Sequence, residues 1–130
     1  MPFTGKILLV DDEAHIRKYV GLVVRGLGAP VIFEASSGEQ ALALYAQESP
    51  DLVLLDVNLP GMTGVQILSG ILAQDPDALV VMLTSLANRQ TIEECLRLGA
   101  ASYIRKDTPK EAILAELSAI VSDSPNDPAP

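Results

Sequence analysis

Three aspartates stand where a sheet could gather them for chemistry. Asp56 directly follows the apolar run 52–55. The pair Asp11 and Asp12 follows the apolar run 7–10. Because open α/β sheets bind ligands at the carboxyl ends of their strands, we expect the three carboxylates to meet at one edge. Carboxylates held so close repel one another unless they share a proton or a hard cation, so the sequence predicts a Mg²⁺ site and phosphate chemistry.

Two more polar residues follow predicted strands, and a loop follows Asp56. Thr84 and Lys106 each come directly after such a strand. A hydroxyl group and an ammonium group are therefore expected at the same edge as the carboxylates. The loop 58–64 contains two glycines, where unusual backbone dihedrals are expected.

Short apolar runs alternate with segments of helical periodicity along the chain. Most of the runs are continuously aliphatic, which is typical of strands buried on both faces of a parallel sheet. This alternation predicts an α/β fold built from βαβ units. The strands are expected at 6–10, 30–35, 51–56, 79–83 and 101–105.

Residues at the expected helix boundaries carry capping signals. A hydroxyl residue followed three positions later by Gln or Glu predicts a capping box. Gly99 after Leu98 is expected to end the fourth helix in a left-handed conformation. The capping-box pairs are Ser37 with Gln40, Thr63 with Gln66, and Thr108 with Glu111, the last with Pro109 in the first helical position.

Composition limits the class of protein. A chain of 130 residues suits one domain, and its single cysteine, Cys95, excludes an internal disulfide and predicts a reducing, cytoplasmic location. No apolar run approaches the roughly 20 residues that span a bilayer, so no membrane association is expected. A net charge of -8 argues against direct nucleic-acid binding, which needs a basic face.

The carboxyl-terminal segment differs in composition from the rest of the chain. Residues 122–130 include three prolines and no large apolar side chain. Such a segment buries too little apolar surface to offset its ordering entropy. We expect a domain over 5–122, followed at 123–130 by a disordered tail or a truncated linker.

Taken together, these motifs resemble the receiver domain of two-component response regulators. The matching segments keep the order and spacing of that family and are found at 8–13, 54–64, 83–85 and 99–106. The resemblance extends over roughly residues 5–122. It implies a single doubly wound, flavodoxin-like α/β domain with a five-stranded parallel sheet, five helices and strand order 2-1-3-4-5.

The resemblance also implies roles for the aspartates. Asp56 would be the phosphoacceptor, its carboxylate attacking the phosphorus of a phosphohistidine to form an acyl phosphate. Asp12 and Asp56 would ligate Mg²⁺ with the backbone carbonyl of Asn58, while Asp11 would contribute through water. Mg²⁺ prefers octahedral oxygen ligands, retains waters and offsets charge on phosphoryl oxygens, which agrees with these roles.

The family likeness assigns the other polar residues to phosphoryl binding and switching. Lys106 would place a positive charge next to the phosphoryl group, and Thr84 would donate a hydroxyl hydrogen bond to it. Thr84 and Tyr103 would form the switch, because the Tyr103 ring turns inward once Thr84 binds phosphate. That movement would repack the surface made by the fourth helix, fifth strand and fifth helix. Asn58 and Leu86 occupy positions that modulate hydrolysis, and an apolar Leu86 is expected to lengthen the phosphoryl lifetime.

Partners follow from the implied family role. The phosphoryl donor would be a sensor histidine kinase or a histidine phosphotransferase. Output would lie in a downstream protein or in a removed output domain, because the chain shows no basic helix-turn-helix or kinase segment. The domain is not expected to be an enzyme beyond its own phosphorylation and dephosphorylation. It is expected to be a monomer or a phosphorylation-dependent dimer.

One position departs from the family pattern. Receivers usually carry proline after the lysine, with a cis peptide bond, whereas Asp107 follows Lys106 here. Because a cis bond before a residue other than proline costs about 2.5–4 kcal/mol, we predict a trans 106–107 bond. Asp107 also adds a negative charge beside the lysine, which is expected to weaken the hold of Lys106 on phosphate.

Two other functions are compatible with this architecture. A pseudo-receiver would keep the fold as a protein-binding module without regulated phosphorylation, and only Asp107 and the missing proline favour it. A flavodoxin-like cofactor protein would need a loop of Gly, Ser or Thr after the first strand to bind a flavin phosphate. The acidic segment 11–13 presents negative charge there instead, so we reject this second interpretation.

Overall fold

The chain folds into alternating strands and helices, and the computed structural model describes residues 2–84 and 89–122. The strands are β1 (Lys6–Val10), β2 (Val31–Ala35), β3 (Leu52–Asp56), β4 (Val80–Thr84) and β5 (Ser102–Arg105). The helices are α1 (Ala14–Val24), α2 (Gly38–Glu48), α3 (Gly64–Gln74), α4 (Arg89–Leu98) and α5 (Lys110–Ser122), with a 3₁₀ turn at Arg25–Leu27 after α1. Leu86 and the predicted tail at 123–130 lie outside the described residues.

The five strands form one parallel sheet in the order β2-β1-β3-β4-β5, which confirms the predicted fold class and strand order. The central strand, β3, pairs with β1 on one side and with β4 on the other. Asp56 lies opposite Leu83 of β4, and Thr84 lies opposite Arg105 of β5. Because all the strands run in the same direction, the residues that end them share one edge of the sheet.

Helices cover both faces of the sheet, so the core has two layers. On one face, α2, α3 and α4 contribute to a buried cluster that includes Leu8 and Val53. On the other face, α1 and α5 contribute to a cluster that includes Ile7 and Leu54. Every residue of β3 and β4 is buried, as the continuous aliphatic runs predicted.

Strand boundaries differ from the predicted ones by one residue at most. β2 begins at Val31 because Pro30 has no N–H to donate to the ladder, whereas the Val31 N–H donates to the carbonyl of Gly5. Thr84 is the last residue of β4 rather than the first residue beyond it. The hydroxyl residue is therefore held by the sheet itself.

Two of the predicted capping boxes fall at helix starts. Thr63 and Gln66 form both reciprocal bonds at the start of α3. At the start of α2, the Ser37 side chain accepts from the Gln40 N–H, but the Gln40 side chain accepts from Ser36 instead of Ser37. The first cap anchors the end of the loop that follows Asp56.

The predicted cap residue of the last helix, Thr108, is wrong by one position. The Pro109 carbonyl accepts from the Ile113 N–H, so Pro109 takes the cap position and α5 begins at Lys110. Gly99, with φ of +128°, ends α4 as predicted. Within the described ranges, no helix is both long and apolar enough to cross a bilayer.

Candidate functional site at the carboxyl ends of the strands

The three aspartates singled out in the sequence lie together at the carboxyl edge of the sheet. One carboxylate oxygen from each of Asp11, Asp12 and Asp56 lies within 4.8 Å of the others. Asp11 and Asp56 are each 3% exposed, whereas Asp12 is open to solvent. The cluster forms because β1 and β3 are neighbours and end at the same edge. The predicted meeting of the three carboxylates is confirmed.

Lys106 brings its ammonium group to the two buried carboxylates. Its Nζ lies 2.7 Å from Oδ2 of Asp11 and 3.3 Å from Oδ1 of Asp56. Its backbone N–H donates to the carbonyl of Thr84 at 2.8 Å, which ties the end of β5 to β4. No peptide bond among the described residues is cis, so the bond between Lys106 and Asp107 is trans, as predicted. The lysine therefore reaches the cluster without a following proline.

Asp107 contacts Arg105 rather than Lys106. Arg105 donates from Nε to Oδ1 of Asp107 at 3.1 Å and from Nη2 to Oδ2 at 3.0 Å. The hydrogen bond from Arg105 lowers the pKa of the Asp107 carboxyl. Among the described residues, no ion pair joins Asp107 to Lys106. The expectation that Asp107 competes for the lysine therefore has no direct contact to support it.

Backbone N–H groups hold the two buried carboxylates, and one buried oxygen is left over. The Glu13 N–H donates to Oδ1 of Asp11 at 2.9 Å, and the Asn58 N–H donates to Oδ1 of Asp56 at 3.2 Å. The other buried oxygen, Oδ2 of Asp11, has no backbone donor among the described residues and is held by the ammonium of Lys106 at 2.7 Å. A buried carboxylate that depends on one lysine, beside two further carboxylates, fits a hard divalent cation such as Mg²⁺.

The charges in the cluster are only partly balanced. Burial raises the pKa of Asp56 and the negative charge of Asp11 raises it further, while the Asn58 N–H and Lys106 lower it only in part. Burial lowers the pKa of Lys106, but contact with Asp11 and Asp56 more than offsets this, so that its pKa lies above its ordinary value. Three carboxylates thus face one lysine, and excess negative charge is left for a cation to neutralise.

The remaining predicted site residues lie around the cluster at different depths. Thr84 is buried at the end of β4, and Asn58 is exposed in the loop after β3. Tyr103, in the edge strand β5, is 43% exposed and lines a groove against α4. The ring is therefore in an outward position, from which the predicted switch would move it inward. Leu86 belongs to the undescribed segment 85–88, so its predicted influence on hydrolysis stays a prediction.

Arg17 contacts the site, although no sequence pattern singled it out. Its Nη1 donates to the backbone carbonyl of Asp11 at 2.6 Å, and its Nε donates to Oε1 of Glu34 in β2 at 2.9 Å. The next residue on α1, Lys18, is exposed. Two adjacent basic residues on a helix look alike in sequence, and only the direction of each side chain distinguishes them. The fold was needed to find this contact.

Known proteins share the sequence pattern of this chain. A family model for the response regulator receiver domain matches residues 7–118, a range that contains the acidic cluster and Lys106. Chemotaxis protein CheY of Listeria monocytogenes is 31% identical over 112 residues, which make up 86% of this chain and 94% of that protein. Sporulation initiation phosphotransferase F of Bacillus subtilis is 39% identical over 101 residues, which make up 78% of this chain and 81% of that protein.

Solved structures share the fold as well. A chain in the crystal structure of the CheX-CheY-BeF3-Mg complex from Borrelia burgdorferi matches with a TM-score of 0.83 and 30% identity, over 88% of this chain and 87% of that chain. NtrX from Brucella abortus matches with a TM-score of 0.86 and 30% identity, over 94% of this chain. This chain covers only 28% of the NtrX chain, so that protein is much longer than the shared domain.

Proposed function

The chain belongs to the response regulator receiver family, and from this membership we propose that it is a phosphoacceptor domain modified on Asp56. The observation that carries the proposal is the position of Asp56, buried beside Lys106 and clustered with two further carboxylates. This cluster lies at the edge where open α/β sheets bind ligands. A buried carboxylate with only a structural role would not need two more carboxylates next to it.

The proposed reaction transfers a phosphoryl group from a phosphohistidine to Asp56. A carboxylate oxygen attacks the phosphorus, the phosphorus–nitrogen bond breaks, and the departing imidazole takes up a proton, leaving an acyl phosphate. Oδ1 of Asp56 is held by Asn58 and Lys106, which supports Oδ2 as the attacking atom. Phosphoryl transfer mainly requires positioning of the reacting atoms and neutralisation of their charge, and the cluster contains groups for both.

Mg²⁺ is the cation that we assign to the acidic cluster. Asp12 and Asp56 would hold the ion with the backbone carbonyl of Asn58, and Asp11 would act through water. When bound, the ion neutralises charge on the phosphoryl oxygens. The excess of carboxylates over lysines supports the assignment, because three carboxylates meet beside the single ammonium of Lys106 and leave negative charge for a cation to neutralise.

Lys106 and Thr84 are proposed to bind the phosphoryl group itself. Lys106 contacts Asp11 and Asp56 in the structure, and a cation in the cluster would release its ammonium to a phosphoryl oxygen. Thr84 would donate its hydroxyl to another phosphoryl oxygen. The Lys106 N–H is bonded to the Thr84 carbonyl, so the two residues are positioned by the same pair of strand ends.

The signal is proposed to leave the site through the surface of α4, β5 and α5. Once the Thr84 hydroxyl binds phosphate, the end of β4 is drawn toward the site. The Tyr103 ring, exposed in this structure, then turns inward. A local bond thereby selects one of two packing arrangements, and the partner reads the resulting surface.

The proposed partners are a phosphoryl donor and a protein that reads the signal. The donor is a sensor histidine kinase or a histidine phosphotransferase in the cytoplasm. The signal is read by a downstream protein or an attached output domain, since relatives include both short chains and long ones. The domain itself acts as a monomer or as a phosphorylation-dependent dimer, and it neither binds nucleic acid nor catalyses a reaction on other substrates.

A pseudo-receiver is the second candidate, because Asp107 replaces the usual proline. In such a protein the fold would serve only as a binding surface. Lys106 contacts Asp11 and Asp56 in spite of the replacement, which favours the phosphoacceptor. The two candidates differ in whether Asp56 accepts a phosphoryl group.

Phosphorylation by acetyl phosphate with Mg²⁺, followed by mass spectrometry, tests the proposal. The expected result is a mass gain of one phosphoryl group that is lost in Asp56→Asn. Asp77→Asn changes an exposed aspartate between α3 and β4 and serves as the matched control, which keeps the gain. Wild-type protein that binds Mg²⁺ but gains no mass would support the pseudo-receiver instead.

A further inference from the structure

We propose that Arg17 and Glu34 are positioning residues that orient the Asp11–Asp12 peptide and thereby set the affinity of the site for Mg²⁺. The inference rests on the proposed function, because it concerns the same cation. Its basis is the pair of bonds made by one guanidinium, at 2.6 Å to the Asp11 carbonyl and at 2.9 Å to Glu34. Neither residue offers an atom to the acidic cluster itself.

The backbone of Asp11 is held on both sides. Its N–H donates to the carbonyl of Ala35 in β2 at 3.0 Å, and its carbonyl accepts from Arg17. A peptide group is planar, so a bond to the Asp11 carbonyl fixes the plane that leads into Asp12. Asp12 is exposed, and this peptide bond joins it to the held backbone of Asp11. The direction of its carboxylate therefore depends on that plane.

Glu34 fixes the other side of the guanidinium. In the sheet register, Glu34 lies opposite Leu9 and Ala35 lies opposite Val10, so the strand that bonds the Asp11 N–H also carries the carboxylate that bonds Arg17. The Arg17 side chain is 17% exposed, although it belongs to a helix residue near solvent. Strand β2 thus positions the acidic loop twice, once through its backbone and once through Arg17.

Arginine suits this position better than lysine would. Its planar guanidinium presents several N–H groups in a rigid fork, so that two acceptors are bonded at fixed angles. A lysine keeps the charge but supplies a compact ammonium on a flexible stem. The substitution Arg17→Lys therefore separates the effect of geometry from the effect of charge.

Geometry and charge predict opposite changes in Mg²⁺ affinity. The positive charge of Arg17 lies beside the Asp11 carbonyl, at the edge of the acidic cluster, and by itself would repel an arriving cation. If charge were the whole effect, Arg17→Gln would tighten Mg²⁺ binding and Arg17→Lys would leave it unchanged. If Arg17 positions Asp12, both variants bind Mg²⁺ more weakly, as loss of a residue that orients a metal ligand typically costs tenfold or more.

The experiment is a Mg²⁺ titration of the full chain. Calorimetry and the amide NMR signals of Asp12 and Asn58 measure the binding. We expect dissociation constants roughly tenfold higher in Arg17→Lys and Arg17→Gln, and a smaller rise in Glu34→Gln, which keeps an acceptor but loses its charge. Lys18→Ala removes an exposed positive charge from the next position on α1 and is the matched control. It should leave the dissociation constant within about twofold of wild type, because exposed charges are screened.

Wild-type affinity in Arg17→Lys, or tighter binding in Arg17→Gln, overturns the inference while leaving the proposed function intact. Wild-type protein without Mg²⁺ affinity overturns both. Thermal unfolding without Mg²⁺ confirms that each variant is folded. Should the Arg17 variants fail to fold, Glu34→Gln decides the matter, because it weakens the hold on the guanidinium while leaving its donor to Asp11 in place. An unchanged dissociation constant in that variant counts against the inference.

Discussion

The Nζ of Lys106 lies closer to Asp11 than to Asp56, at 2.7 Å against 3.3 Å. The lysine therefore serves first as the counterion of Asp11, whose Oδ2 has no backbone donor among the described residues. The cation that we propose for the cluster would take over this role. The metal-free and metal-bound forms should consequently depend on Lys106 to different degrees.

Lys106→Met tests that exchange of counterions. Without Mg²⁺ the substitution leaves Asp11 and Asp56 without their cationic partner. We expect the free energy of unfolding to fall by roughly 1–3 kcal/mol, less than the ~3–5 kcal/mol typical of fully buried pairs because the Asp12 side of the cluster is open to water. Saturating Mg²⁺ should recover most of the loss, as measured by urea unfolding with and without the ion.

Lys110→Met is the control for this measurement, since it removes an exposed lysine at the start of α5. Its effect should be small and independent of Mg²⁺. Equal destabilisation of Lys106→Met in the presence and absence of the ion would show that the lysine and the cation do not substitute for each other.

Asp56→Asn should stabilise the metal-free protein near neutral pH. Burial raises the pKa of Asp56 in the folded state. The protonated carboxyl therefore contributes fully to the free energy of unfolding at pH values below the unfolded pKa, and this contribution is lost as the pH rises through the folded pKa. Above that range the charged carboxylate costs stability, and asparagine avoids the cost. We expect a gain of about 0.5–2 kcal/mol at neutral pH, the usual range for single stabilising changes.

Comparing wild type with Asp56→Asn at acidic pH tests whether the charge on Asp56 is the cause of the difference in stability. Below the unfolded pKa of aspartate both forms of residue 56 are neutral, so the difference between wild type and Asp56→Asn should shrink. Urea unfolding in Mg²⁺-free buffer at the two pH values measures it. A variant less stable than wild type at neutral pH would contradict the unfavourable charge.

Gly38→Ala should disturb the loop that carries Asn58. A Cβ at this position would lie 2.6 Å from Sδ and 2.9 Å from Cβ of Met62, and the second atom can move away only together with the backbone of the loop. We expect a loss of about 1–3 kcal/mol from overpacking, together with weaker Mg²⁺ binding as the loop shifts.

Gly21→Ala is the matched control in the interior of α1. A Cβ there meets only Cδ1 of Leu9 at 3.7 Å, which is ordinary contact. Alanine is the better helix former, so this variant should gain roughly 0.5–1 kcal/mol. Denaturant unfolding of both variants measures the difference, and similar effects of the two substitutions would refute the packing argument.

Tyr103 should report the switch on addition of beryllofluoride with Mg²⁺. The ring is exposed in this structure, whereas the ring of Tyr45 is buried and its hydroxyl donates to Asp75. Fluorotyrosine labelling would follow both rings by NMR. We expect the Tyr103 signal to move to a buried environment while the Tyr45 signal stays in place. A Tyr103 signal that does not respond would remove the proposed route to the α4, β5 and α5 surface.

The sheet and the acidic cluster were predictable because they follow from short-range rules. Aliphatic runs such as 52–55 that alternate with helical segments favour a doubly covered parallel sheet, and parallel strands bring their following residues to one edge. Asp11, Asp56 and Lys106 met for that reason. The strand order that makes β1 and β3 neighbours came from the family resemblance and not from the order of the residues alone.

Other contacts depend on side-chain direction, which the sequence pattern does not specify. Arg17 and Lys18 are neighbours of the same charge, yet only Arg17 points to the Asp11 carbonyl. Asp107 was expected to act on Lys106 because the two are adjacent, but in the turn after β5 its carboxylate accepts from Arg105 instead. Adjacency in sequence misled for Asp107, and for Arg17 it gave no signal at all.

The unequal exposure of the three carboxylates bears on how the proposed ion would reach the site. Asp12 is open to water, while Asp11 and Asp56 are covered. In the proposed domain, Asp12 would offer the ion its first carboxylate at the surface, and no part of the sheet would have to open for the ion to reach Asp56. Binding of the ion would then follow its concentration in the surroundings, and a steady concentration carries no signal. The signal would be stored in the acyl phosphate bond on Asp56 and not in the ion.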